Sequence, residues 1–172
     1  TRYHGVTGVQ TCALPILLSK IVYGFVWLLS LLPLRVLYLF ADICYVLLYY
    51  VVRYRRKVVM MNLRNSFPEK TEAELGKIAK GFYHHLCDFL VESYRMWHMS
   101  AEEIKRRCVF NNNEVVQNYL NEGRSLIVVL GHYGNWEWLA SYSLWMSDDV
   151  DFFTLYKPLH NSVFDKMMHQ LR

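Results

Sequence analysis

The chain opens its legible pattern with an apolar stretch. Across residues 21–52 only Arg35 and Asp42 carry charge, and the rest is dominated by Leu, Val, Ile, Phe, Tyr and Trp. About 20 apolar residues cross a bilayer core, so the stretch suffices for one tilted span or for two short helices broken near Leu32 and Pro33. Arg35 disfavours one uninterrupted span, and the pattern predicts a membrane-embedded helix, a break and a second helix. Thr71 and Glu74 then form a capping box, and Leu75, Ile78, Phe82, Leu86 and Phe89 recur at helical spacing to about Trp97. Ser100 with Glu103 opens a short helix, and Asn113 is the candidate cap of a third that ends at Gly123. An apolar run over 125–130 predicts a strand, 136–146 a helix, 150–156 a second strand, and Asn161 the cap of a last helix. Helices followed by β-α-β-α predict an α/β domain with a partly parallel sheet under helical cover. No repeat and no Gly/Ser-rich or Pro-rich linker divides it.

Chemistry concentrates where the first expected strand ends, in Gly131, His132, Tyr133, Gly134, Asn135, Trp136 and Glu137. Buried strands of α/β folds are apolar on both faces, and ligands gather beyond their carboxyl ends, which puts His132 where such sites form. The pattern is H-x-x-x-x-E. On one continuous helix a spacing of five leaves two side chains about 140° apart, so the pair meets only if His132 lies in a loop and Glu137 in the first helical turn. A histidine of ordinary pKa can take a proton from a hydroxyl, and a carboxylate on its far nitrogen fixes the tautomer and steadies the imidazolium. A lone loop histidine is otherwise a satisfied polar residue; the strand, the two glycines and the helix around it lift this one above that reading. No G-x-S-x-G elbow is present, so the nucleophile is expected to be a substrate hydroxyl.

The motif GHYGNWE resembles the signature of the glycerolipid and lipid A acyltransferases, and the wider sequence resembles the lipid A late acyltransferase branch. RRKVVMMNLRNSFPE upstream and YKPLHNSVFD downstream complete the likeness, with Ser162 where proline is common and Lys157 where arginine is frequent. The resemblance implies a glycerolipid-acyltransferase-like fold truncated at its C-terminus. It implies His132 as general base and Glu137 as its orienting carboxylate, with an acyl carrier protein thioester, less expectedly coenzyme A, as donor. No metal or redox cofactor is implied, and the acceptor is a hydroxyl of a lipid A precursor at the cytoplasmic face of an inner membrane. A lysophospholipid or amino-acid lipid is the alternative acceptor; a non-catalytic membrane-anchored scaffold is the rival of another class, against which the intact His132 and Glu137 count. Amides around Gly134 and Asn135 are candidates for receiving the oxyanion, beside the plain reading of a turn and a helix cap. Tyr156, Lys157 and Asn161, after the second expected strand, are candidate substrate contacts, with Lys157 able to neutralise a phosphate.

The remaining features narrow the class. With 53% hydrophobic and 16% aromatic residues the 172-residue chain is rich in apolar side chains. Its net charge of +4 is mild, and no nucleic-acid module is visible. Arg53, Arg55, Arg56 and Lys57 follow the apolar stretch, against Lys20 before it, which by the positive-inside rule puts the downstream domain in the cytoplasm. A cleavable signal peptide fits poorly, since such a peptide carries its basic residues before the apolar run, where this chain carries them after it, and no A-x-A-like site follows. Residues 1–16 show neither helical nor strand periodicity and resemble a sequencing-adapter read-through; 17–57 read as anchor and basic juxtamembrane segment, and 58–172 as the N-terminal part of a catalytic domain. Cys12, Cys44, Cys87 and Cys108 form no C-x-x-C pair and read as reduced packing cysteines. His84 and Asp88, an i, i+4 pair, invite a metal reading, but no second ligand cluster follows and a helix surface is the better account. Trp136, Trp138, Tyr142 and Trp145 read as core and membrane-interface packing, with an acyl-chain groove as the sharper alternative.

Overall fold

The computed structural model describes residues 13–147, 149–155, 157–158 and 161–171. Helix α1, Ala13–Ser30, ends in a tightened turn, with the amide of Leu32 bonded to the carbonyl of Leu29 at 2.9 Å. Pro33, which has no amide to donate, then stands at the cap of α2, Leu34–Val46, so the apolar stretch is a broken helix pair. Helix α1 starts four residues inside the stretch read as a leader, since residues 13–16 are helical. A π-helical segment, Leu47–Val51, prolongs α2, and the basic turn beyond it holds Arg53 and Arg55 at φ 53° and 49°, in the left-handed region. Helices α3, Arg56–Ser66, and α4, Glu72–Arg95, follow.

The start of α4 obeys its sequence signature. The Thr71 hydroxyl accepts from the Glu74 amide at 3.3 Å, while the Glu74 carboxylate accepts from the Thr71 amide at 2.8 Å. Arg64 of α3 meets Glu72 through two hydrogen bonds, 2.6 and 2.9 Å, which joins the two helices at the surface.

Helix α2 packs along α4, and the pairings Tyr38 with Glu92 and Asp42 with His84 make the two antiparallel. Leu34, Leu37, Ala41 and Tyr49 are buried on the inner face of the α2 stretch. Leu34 and Leu37 meet Met99 and Ile104 in one core cluster, which Trp138 and Trp145 flank. Tyr49 meets Ala79 and Tyr83 in a second cluster. The outer face carries Leu39, Ile43, Leu47 and Val51, all exposed. The one acid of the apolar stretch is partnered: Asp42 sits 3.0 Å from His84, whose other ring nitrogen is 3.0 Å from Asp88. Burial pushes the Asp88 carboxyl upward, and His84 opposes that shift.

After a 3-10 turn, Met96–His98, come α5, Ala101–Arg107, and α6, Asn113–Asn121. Ser100 caps α5 by accepting from the Glu103 amide at 3.2 Å, while the Glu103 carboxylate turns to Arg107 at 3.0 Å. Asn113 is not the cap of α6: Asn112, at φ 58°, holds that position, and the Asn113 side chain accepts a short hydrogen bond from the Tyr142 hydroxyl. Gly123, at φ 73°, supplies the left-handed residue that turns the chain after α6. A 3-10 helix, Trp136–Trp145, and α7, Ser162–Leu171, complete the described elements.

The expected parallel sheet is absent among the described residues, which include no strand. Neither 125–130 nor 150–155 is paired, and Ile127, Val129 and Leu155 are 93%, 87% and 100% exposed, so the run before His132 is not the buried strand its composition predicts. The reason is physical: β-branched composition makes a segment ready to pair, but a strand exists only through bonds to a neighbour, and among the described residues no backbone pairs with these segments. The observed architecture is a helical layer around α4 with two unpaired apolar segments beside it.

Candidate active site

Between the unpaired run and the 3-10 helix the backbone turns sharply. The Tyr133 amide donates to the Gly131 carbonyl at 2.8 Å, closing a three-residue turn with His132 at its centre. Gly134 follows at φ 59°, a conformation that disfavours any side chain. His132 therefore lies in the loop and is exposed, while Glu137 lies in the first turn of the 3-10 helix and is buried at 7% exposure.

An aromatic ladder backs the histidine. Its ring meets Trp136 edge-on at 4.6 Å, and Trp136 stacks on Phe89 of α4 at 4.4 Å and 29°. Burial raises the Tyr94 phenol above its ordinary range, and the charge of Glu137 adds to the rise, which puts Tyr94 within the field of that carboxylate.

His132, Glu137, Lys157 and Asp165 line one cavity of about 540 Å³, whose apolar wall is formed by Leu130, Trp136, Leu139, Phe152, Leu155 and Met168. Its size and its mix of apolar wall with a few polar groups match small-molecule and lipid sites. An imidazole, a buried carboxylate, a cation and an apolar wall thus share one space, although no sheet among the described residues brings Lys157 and His132 together.

The other candidates have different places. Asn135 opens onto a second cleft, with Leu34, Tyr38, Glu92, Arg106 and Trp138. It stands at the cap position of the 3-10 helix without a side-chain capping bond, and its amide donates instead to Glu92 at 2.8 Å. Gly134 shapes the turn and borders neither cleft. Asn161 caps α7 by accepting from the Val163 amide at 3.0 Å, and it donates to Ser19 of α1 at 2.9 Å. Tyr156 lies outside the described residues. Of the tryptophans read as packing residues, Trp136 lines the His132 cavity, while Trp138 and Trp145 flank the core. His84 is engaged by two carboxylates, and among the described residues no group of three metal-ligating side chains forms.

The sequence is matched by the family model described as bacterial lipid A biosynthesis acyltransferase over residues 11–172. The chain belongs to that family. Among curated proteins and among solved structures nothing matches it. Family membership makes the chain an O-acyltransferase with a general role in lipid A biosynthesis, working between an acyl donor and a lipid acceptor. The family is typically membrane-associated, and α2 with its π-helical extension, Leu34–Val51, is long and apolar enough to cross a bilayer.

Two further residues adjoin these candidates without having been expected at the site, Glu92 having the sequence expectation only of a residue that supports the fold. Asp165, the last residue of the downstream motif, lines the cavity from α7. Glu92 holds Asn135, and its signal lay in register: His84, Asp88 and Glu92 recur every four residues on α4, as Tyr38 and Asp42 do on α2, so two polar stripes were available to face each other.

Proposed function

We propose that the protein transfers a fatty acyl group from an acyl carrier protein thioester to a hydroxyl of a lipid A precursor at the cytoplasmic face of the inner membrane. The observation that carries this reading is the shared cavity of His132, Glu137 and Lys157 with an apolar wall able to take an acyl chain. In the proposed step His132 removes the proton of the acceptor hydroxyl, and the oxygen attacks the thioester carbonyl carbon. Collapse of the tetrahedral intermediate breaks the carbon–sulfur bond, and the departing thiolate takes the proton back from the imidazolium, giving an ester and a free thiol. Glu137 orients the imidazole and steadies its charge. Lys157 neutralises a phosphate of the acceptor or of the phosphopantetheine arm. The reaction calls for no metal and no redox cofactor.

The packing of α2 supports an anchor that lies in the bilayer surface rather than across it. One face of α2 is committed to α4, which carries His84, Asp88 and Glu92 at the same level, and a crossing α2 would take these polar groups into hydrocarbon. The opposite, apolar face suits the boundary between headgroups and acyl chains, with the basic turn at its end facing anionic lipid.

The direct test is turnover by the purified full-length protein, supplied in parallel with acyl carrier protein and coenzyme A thioesters and with hydroxylated lipid A precursor or lysophospholipid. Ester product on the lipid A precursor with the carrier-protein donor is expected. Ester formed only on lysophospholipid would move the acceptor, and release of free fatty acid alone would contradict acyl transfer.

A further inference from the structure

The side chain of Asn135 and the carboxylate of Glu92 form a brace that the acid–base pair does not use. Glu92, on α4, accepts from the Asn135 amide at 2.8 Å with one oxygen and from the Tyr38 hydroxyl at 2.8 Å with the other. The Asn135 carbonyl oxygen is in turn 3.3 Å from the Ser93 hydroxyl, whose single proton it shares with the Phe89 carbonyl at 2.7 Å. An asparagine at this cap position would ordinarily bond its own helix; this one reaches across to α4 instead. Asn135 lies between His132 and Glu137 in the chain, so whatever fixes it fixes the relative placement of both. Phe89, one turn before Glu92 and Ser93 on α4, stacks on Trp136, so the loop is held to one helix by polar and aromatic contacts together.

We infer that Glu92 is a positioning residue for the catalytic turn, acting through Asn135, with Tyr38 tying the same carboxylate to the membrane-facing helix α2. The inference rests on the proposed role of His132 and Glu137. A carboxylate with both oxygens engaged on two different elements has little freedom, and so transmits the rigidity of the α2–α4 pair to the loop. The chemistry needs this, because a displacement of about 1 Å between base and reacting hydroxyl costs on the order of 10²-fold in rate.

The test uses the full-length protein in detergent, with Glu92→Ala, Asn135→Ala, their double variant and Glu92→Gln. Either alanine variant should lower kcat roughly 10- to 100-fold with KM for donor and acceptor held within about twofold. The double variant should be no slower than the slower single one. Glu92→Gln should recover most of kcat, since its carbonyl can accept from Asn135 while the Tyr38 hydroxyl turns to accept from its amide. Hydrogen exchange should quicken in peptides covering 131–138 in Glu92→Ala and stay unchanged in the interior of α4. Wild-type kcat in Glu92→Ala, multiplied losses in the double variant, or unchanged exchange in the loop would overturn the brace. Should Glu92→Ala fail to fold, Asn135→Ala, which leaves the α2–α4 contact intact, decides by the same readouts. A wild type without turnover would sink the acid–base reading, and the exchange comparison would still decide the brace.

Discussion

Thr71 and Glu74 satisfy each other's amides at the start of α4, the helix on which both clusters and the His132 loop lean. Thr71→Ala should destabilise the fold by about 1 kcal/mol, read as an earlier thermal or denaturant transition. The hydrogen bonds from the Thr71 side chain and backbone hold the Glu74 carboxyl below its ordinary range. Such a group stabilises the fold above the ordinary carboxylate range and loses that contribution as pH falls through its lowered folded pKa. The gap between wild type and Thr71→Ala should therefore be widest near neutrality and shrink on acidification; a gap that widens in acid would contradict the assignment. This box was legible in the sequence because both partners lie within four residues. Asn135 was not, because its choice of Glu92 over its own helix depends on an element 43 residues away.

The α2 stretch shows how far an apolar run can be read alone. Composition gave its length and the break at Pro33, but which of its faces is covered follows from α4, whose polar stripe meets it at Tyr38 and Asp42. Membranes carrying the full-length protein should retain it through a high-salt wash, since salt screens only the basic contribution. In spheroplasts a cysteine introduced by Lys20→Cys should resist an impermeant maleimide and react after lysis. Reaction in intact spheroplasts would put that end across the bilayer, and release by salt would remove the embedded anchor. The segments 125–130 and 150–155 fail as strands for the converse reason: their residues favour pairing, but pairing belongs to two backbones and none adjoins them among the described residues.

Taken together, a helical layer holds a sharply turned loop against α4 and brings an exposed His132, a buried Glu137 and Lys157 to one cavity. The loop position of His132 and the first-turn position of Glu137 were readable from two glycines and a spacing of five; the cavity's Asp165 and the hold of Glu92 were not, because both arrive from helices that only packing brings near. The claim on which the account turns is that His132 and Glu137 serve one proton transfer. The measurement is single-turnover acyl transfer by wild type, His132→Ala, Glu137→Gln and the double variant, with folding and membrane content matched. His132→Ala should lose on the order of 10²-fold or more, Glu137→Gln should be severely impaired, and the double variant should be little slower than His132→Ala alone. Near-wild-type transfer by His132→Ala would contradict the mechanism, and losses that multiply in the double variant would separate the two residues.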